Sequence, residues 1–161
     1  NMDKVSFKLI KEDAVDDPFG TIIGKNSFFR AISLLENLNF SDDADISQAV
    51  SSCANTGSNN GLSVIISDFL TRKDWKKAVD YLTYKKRQVL AIQLLSPEEE
   101  EPTYSGRVSL IDVESGDLAD PRNMKLRITR SLQLAYFISV TTDKPVERML
   151  FGELLKAGIM E

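Results

Sequence analysis

Two apolar runs, each bounded by polar or turn-forming residues, dominate the hydrophobic pattern of the chain. Residues 61–70 read Gly-Leu-Ser-Val-Ile-Ile-Ser-Asp-Phe-Leu, and residues 88–95 form a second run rich in aliphatic side chains. Runs of this length predict strands that are buried on both faces of a parallel sheet. Between them, residues 71–86 have apolar positions at helical spacing. The pattern therefore predicts a right-handed βαβ unit, and we expect residues 61–70 to form the central strand.

Further apolar patterns extend this unit on both sides. Residues 133–141 predict a third buried strand, and residues 144–157 predict a final helix with Leu154 and Leu155 on its core face. Helical spacing also marks residues 27–38 and 46–54. Strands that alternate with helices predict an α/β fold with a doubly wound, mostly parallel sheet.

The remaining segments have weaker patterns. Residues 5–10 alternate, which predicts a half-exposed or edge strand, and residues 12–24 are acidic with Pro and Gly, which predicts a loop. Residues 107–113 and 118–129 predict an antiparallel hairpin at one edge of the sheet. Only about residues 130–132 separate this hairpin from the third buried strand, whereas a parallel crossover needs about a dozen residues. Either this junction is an antiparallel turn or a helical segment is missing there, and we favour the missing helix.

Composition narrows the class of protein. A chain of 161 residues predicts a single domain spanning 1–161. The net charge of −4 argues against nucleic-acid binding, and the lack of histidine excludes imidazole catalysis and histidine-based zinc sites. A single cysteine, no stretch of transmembrane length and no signal peptide favour the cytoplasm. Because Asn1-Met2 resembles a tag remnant before an initiating Met, we expect a fragment of a longer protein.

The candidate chemistry lies where the first buried strand ends. Ligands of open parallel sheets meet the carboxyl ends of the strands, which is where Asp68 is predicted. The simpler interpretation is that Asp68 caps the turn into the next helix. Similarly, Cys53 is interpreted as a small buried apolar residue, and the glutamates at 98–101 as a solvated surface.

Several phrases resemble a known family. Residues 61–70, 89–99, 106–116 and 138–147 are similar, in the same order, to bacterial proteins grouped as "domain of unknown function 58". The resemblance extends from about Gly24 onward. That family is similar to the von Willebrand factor A domain, a Rossmann-like three-layer fold. The resemblance implies a non-catalytic protein-binding module whose partner is a MoxR-type AAA+ ATPase. It also implies that membrane helices can precede the domain in the full-length protein, although no membrane contact is expected from this chain.

The resemblance also implies a divalent-cation site, but its residues are incomplete here. Von Willebrand A domains use an Asp-x-Ser-x-Ser loop, a Thr and an Asp on three loops. The first loop is not found before Val5, and the Thr position falls on Ala44. Asp45 and Ser47 resemble the first motif, but we interpret them as capping residues. Only Asp68 matches a ligand position, so we expect a degenerate site with no cofactor, and Mg²⁺ only in the full-length protein.

Two functional hypotheses follow. The first is an interaction module, not an enzyme, whose partner-binding rim comprises Asp43, Asp45, Ser67, Asp68 and Phe69. The alternative is a carboxylate- and Mg²⁺-dependent hydrolase or nucleotide-binding enzyme. Its candidate carboxylates are Asp43, Asp45, Asp68, Asp112 and Glu114. No phosphate-cradling glycine motif follows a predicted strand, so the first hypothesis is favoured.

Overall fold

The structure is a computed structural model that describes residues 4–11, 14–38, 45–53, 60–69, 74–100, 136–145, 147, 151–152 and 154–155. These residues form a mixed α/β structure with a three-stranded parallel sheet and two short antiparallel strand pairs. The strands are β1 (Lys4–Ser6), β2 (Leu9–Lys11), β3 (Ala14–Asp16), β4 (Thr21–Ile23), β5 (Gly61–Ser67), β6 (Arg87–Leu95) and β7 (Tyr136–Thr141). The helices are α1 (Lys25–Leu35), α2 (Ile46–Cys53), α3 (Lys76–Tyr84) and the short α4 (Pro97–Glu100).

The parallel sheet has the strand order β5-β6-β7. Its register aligns Ile65 with Ala91 and Ala91 with Phe137. The predicted βαβ unit is confirmed, since β5 leads through α3 into the parallel β6. Among the described strands β6 is central and β5 lies at one side, which differs from the expectation that residues 61–70 form the central strand.

Both faces of β6 are covered. On one face, Val89 and Ala91 pack with Ile65 and with apolar residues of α2 and α3. That cluster comprises Ile46, Ile65, Phe69, Trp75, Ala78, Val79, Val89 and Ala91. On the opposite face, β6 and β7 form a second cluster that comprises Leu90, Ile92, Ile138, Val140 and Leu154. Two independent apolar clusters therefore fix the central strand.

Strand β5 is covered on one face only within the described structure. Ile65 is buried, but Leu62, Val64 and Ile66 are 41%, 46% and 61% exposed. The prediction that this run is buried on both faces is therefore wrong for the described residues. The physical reason is its lateral position, since Leu154 packs against β6 and β7 and is not in the cluster that contains Ile65 of β5.

The segment before α1 has more strands than the sequence predicted. Residues 5–10 divide between β1 and β2, and the loop predicted for residues 12–24 contains β3 and β4. Strand β1 pairs antiparallel with β4, and β2 pairs antiparallel with β3. Gly24, at φ 81°, directly precedes α1, so the helix begins two residues earlier than the spacing at 27–38 predicts. The antiparallel pairs are thus near the start of the chain, whereas the predicted hairpin at 107–129 lies outside the described residues.

Helix α2 and the final helix lie where the sequence predicts them. The helix predicted for residues 46–54 is confirmed as α2, in which Ile46 and Ala49 are buried. Residues 147, 151–152 and 154–155 are helical, as predicted for the final helix, but Leu155 is exposed instead of facing the core. The junction at 130–133 lies outside the described residues. Among the helices in the described ranges, none combines the length and apolar character needed to cross a bilayer.

Thr141, at the end of β7, is a buried polar residue whose replacement should stabilise the protein. Its side chain is buried, and its Oγ1 has no hydrogen-bond partner in the described part of the chain. Thr141→Val replaces this hydroxyl with a methyl group of similar shape. We expect the free energy of unfolding to rise by about 1 kcal/mol, because an unpaired buried hydroxyl costs roughly that amount.

Urea unfolding followed by circular dichroism measures this change. Thr142→Val is the matched control, because Thr142 is the exposed neighbour on the same strand end and should change stability by less than about 0.5 kcal/mol. A Thr141→Val protein less stable than the wild type would show that the hydroxyl is satisfied in solution.

Candidate functional site

The carboxyl end of β5 is a sharp turn formed by Ser67, Asp68 and Phe69, called here the rim turn. Phe69 has a φ of 56°, a left-handed conformation that is unfavourable for a bulky residue. Its side chain is only 2% exposed. The ring packs against Trp75 and Phe137, with ring centroids 5.0 Å and 6.4 Å away. Core packing therefore holds the backbone in a conformation that the residue would otherwise avoid.

Hydrogen bonds complete the rim turn. The Phe69 N–H donates to Ser67 Oγ at 3.0 Å, and Ser67 Oγ donates to Asp68 Oδ1 at 3.3 Å. The side-chain amide of Gln93 donates from Nε2 to the Asp68 carbonyl oxygen at 2.8 Å. The carbonyl of Asp68 is thus hydrogen-bonded to β6, although Asp68 is an exposed residue.

The register of the sheet places three polar residues side by side next to the rim turn. Ser67 on β5 aligns with Gln93 on β6, which in turn aligns with Ser139 on β7. Ser139 Oγ donates to Gln93 Oε1 at 3.5 Å. Gln93 and Ser139 were missed by sequence reasoning. The available signal was one glutamine inside the otherwise apolar run Val-Leu-Ala-Ile-Gln-Leu-Leu.

The other candidate residues, which include the predicted caps and the carboxylates of the alternative enzyme, have different positions. Asp45 precedes α2 and accepts a hydrogen bond from the Gln48 N–H at 3.0 Å, which is the capping role expected for it. Ser47 Oγ donates to the Asp74 carbonyl at 2.5 Å, so it ties α2 to the start of α3. The Phe69 side chain belongs to the core, so its part in the rim is its backbone conformation. Asp43, Asp112 and Glu114 lie outside the described residues.

Charge differs between the two ends of the parallel sheet. At the carboxyl end, Asp68 follows β5, and the glutamates of α4 follow β6. Lys144 lies 3.7 Å from Glu100, so part of this acidic charge is paired. At the amino end of β6, the residues 85–87 are Lys, Lys and Arg. The sheet therefore presents acidic side chains at the carboxyl ends of its strands and basic side chains at the other end.

The described residues do not assemble a metal site around Asp68. Within those ranges, no group of three or more Cys, Asp or Glu side chains is arranged to hold a metal ion. Among the described residues, Asp68 is the predicted ligand that directly follows a strand. The described residues around Asp68 therefore do not fit a divalent cation.

Cys53, on α2, has the properties of a packing residue. It is partly buried, and this burial raises the pKa of its thiol. A raised pKa lowers the thiolate fraction near neutral pH, and the thiolate is the nucleophilic form. The environment of Cys53 thus agrees with the interpretation of a small apolar side chain.

Comparison with known proteins gives one match. The model of a family described as "Protein of unknown function DUF58" matches residues 2–136, which is well over half of the chain. The matched range begins before β1, ends at the first residue of β7 and includes the rim turn. No curated protein and no solved structure matches the chain significantly.

Proposed function

Because the chain belongs to the family described as "Protein of unknown function DUF58", we propose that it is a von Willebrand factor A-like domain with a doubly wound sheet. In this proposal the domain is a non-catalytic protein-interaction module of the cytoplasm. Its partner is a MoxR-type AAA+ ATPase, as the family resemblance implies. The proposed contact surface is the rim turn at the carboxyl end of β5, with Asp68 as its central side chain.

The observation that carries this proposal is the rigid presentation of Asp68. Phe69 is anchored in the core on one side of it, and Ser67 and Gln93 hold the turn by hydrogen bonds. The Asp68 residue itself is exposed. A surface that is ordered before binding does not pay the entropic cost of ordering on association. This arrangement suits a docking carboxylate, whereas a simple connection between β5 and α3 does not require it.

The distribution of charge supports a partner with a basic contact surface. Asp68 and the glutamates of α4 lie at the same end of the parallel strands, and the basic residues 85–87 lie at the opposite end. Complementary charge orients two proteins as they meet and raises the association rate. A basic patch on the ATPase would therefore meet the carboxyl end of the sheet first.

A non-catalytic role agrees with the chemistry of the chain. It has no histidine to serve as a general base near neutral pH, and its single cysteine has a raised thiol pKa. The carboxylates that an Mg²⁺-dependent enzyme would need do not form a cluster within the described residues.

A binding experiment with charge reversal tests this proposal. The full-length protein is titrated with the purified MoxR-type ATPase of the same cell by calorimetry or biolayer interferometry. Asp68→Lys is expected to weaken binding by about tenfold or more, because a close interfacial charge pair would become repulsive. Asp80→Lys is the matched control: Asp80 is exposed on α3, and its reversal should change the affinity by less than about twofold.

Two results would contradict the proposal. One is no detectable binding of the wild-type protein to the ATPase, and the other is equal binding by Asp68→Lys. Saturable Mg²⁺ or Mn²⁺ binding that Asp68→Ala abolishes would instead favour a metal-dependent enzyme.

A further inference from the structure

We propose that Gln93 is a positioning residue that sets the orientation of Asp68 by clamping the peptide unit between Asp68 and Phe69. The significance of this clamp for binding rests on the proposed function of Asp68. The clamp itself rests on geometry alone. In this proposal, a buried glutamine of the central strand β6 orients the carboxylate that follows the neighbouring strand β5.

The burial of Gln93 requires that its amide be satisfied. The residue is 6% exposed and belongs to a strand whose neighbouring side chains are almost all buried. A buried amide without partners is costly, so the contacts of this one identify its structural task. Its Nε2 donates to the Asp68 carbonyl at 2.8 Å, whereas Ser139 reaches its Oε1 only at 3.5 Å. The shorter bond is therefore the one to the rim turn.

The peptide unit after Asp68 is held at both of its polar ends. Gln93 donates to its carbonyl oxygen, and Ser67 Oγ accepts from its N–H, which belongs to Phe69. A planar peptide unit with both groups bonded has little freedom to rotate. The rotation of this plane is set by ψ of Asp68 and φ of Phe69. The clamp thus selects the left-handed φ of 56° at Phe69. It also keeps the Phe69 N–H on Ser67 Oγ, so that this hydroxyl is positioned to donate to Asp68 Oδ1 and orient the carboxylate.

Core packing of Phe69 does not fix this plane by itself. The ring contacts with Trp75 and Phe137 locate the Phe69 side chain, but a flip of the preceding peptide unit can leave a side chain in place. The hydrogen bonds of Gln93 and Ser67 oppose that flip. Gln93 therefore has a local effect on the rim turn in addition to any contribution to overall stability.

Amide hydrogen exchange measured by NMR separates the local effect from the global one. Gln93→Met keeps the length of the side chain and removes the donor. We expect the Phe69 amide to exchange about tenfold faster, relative to the amide of the fully buried Ala91, because the clamp is opened at one end. Gln88→Met is the matched control, since Gln88 is an exposed glutamine on the same strand and should leave Phe69 unchanged.

Binding to the MoxR-type ATPase supplies the second readout. Gln93→Met is expected to weaken binding about fivefold or more in the wild-type background. The variant no longer orders the Asp68 contact in advance, so this contact must become ordered when the partner binds. In an Asp68→Ala background it should have no further effect, because there is no carboxylate left to orient. A merely structural role for Gln93 would produce the same loss in both backgrounds.

The outcomes are distinguishable. Unchanged exchange at Phe69 in a folded Gln93→Met protein overturns the positioning role, whatever the partner does. Failure of the wild-type protein to bind the ATPase overturns the proposed function. The exchange rate of the Phe69 amide then still decides whether Gln93 holds the peptide unit. If Gln93→Met does not fold, Gln93→Asn replaces it, because its amide is one methylene too short to reach the Asp68 carbonyl.

Discussion

Phe69→Ala is expected to lower the free energy of unfolding by about 3–5 kcal/mol, the range for deletion of a large buried aromatic side chain. Phe69 is almost completely buried, and its ring contacts Trp75 and Phe137. It therefore joins the helical layer to two strands of the sheet. Urea unfolding followed by far-UV circular dichroism measures the loss. The fluorescence of Trp75, the only tryptophan in the chain, reports on the same cluster.

Two further variants sharpen this experiment. Phe29→Ala removes the same side chain from α1, where it is 55% exposed, and should cost less than about 1 kcal/mol. Phe69→Gly removes the ring and also relieves the left-handed backbone. It should be as stable as Phe69→Ala or more stable by up to about 1 kcal/mol. A Phe69→Ala protein that loses less than about 1 kcal/mol would show that Phe69 is not a core residue.

Sequence reasoning predicted the central part of the fold because its signal is local. The apolar runs that became β5, β6 and β7 are long enough to exclude a loop, and α3 follows from the spacing of Trp75, Ala78 and Val79. The family was also predicted from phrases in these segments and is confirmed. The finer assignment to a doubly wound von Willebrand A-like sheet stays a proposal.

The errors at the edges of the fold have physical causes. Strand β5 contains no charged residue between Gly61 and Ser67, so its composition does not distinguish a central strand from a lateral one. Strands β1 to β4 have three residues each, which is too short for an alternating pattern to emerge from a segment broken by Pro18 and Gly20. Their pairing is set by contacts between segments, which no single window of the sequence contains.

The candidate site was also predictable only in part. Asp68 was predictable because a polar residue that ends an apolar strand marks the carboxyl edge of a parallel sheet. Gln93 and Ser139 were not, because their alignment with Ser67 depends on the register of three strands. Likewise, the left-handed conformation of Phe69 is not visible in the sequence, since bulky residues rarely adopt it.

Arg87 supports the largest of the expected polar effects, at the amino end of β6. Its Nε donates to Ser63 Oγ at 2.5 Å, and its Nη2 donates to the Leu62 carbonyl at 2.9 Å. Its Nη1 reaches the Asn60 carbonyl at 3.3 Å. Gly61 has a φ of 124°, a conformation that favours glycine, and a Cβ there would meet the guanidinium only at an ordinary contact distance of 3.7 Å. The guanidinium thus links the start of β5 to β6.

Arg87→Met is expected to lower the free energy of unfolding by about 1.5–3 kcal/mol, because hydrogen bonds from a charged donor are lost while the aliphatic part of the side chain is kept. Arg87→Lys should recover only part of this loss, since an ammonium group cannot reproduce the planar fork of donors. Lys86→Met is the matched control: the neighbouring Lys86 is exposed, and removing its charge should cost less than about 0.5 kcal/mol.

Urea unfolding gives the stabilities, and hydrogen exchange along β5 shows whether its first residues are loosened before the rest of the strand. Equal stability of Arg87→Met and the wild type would mean that backbone pairing of β5 with β6 is sufficient without the guanidinium. Full recovery by Arg87→Lys would instead show that the positive charge matters and the fork does not.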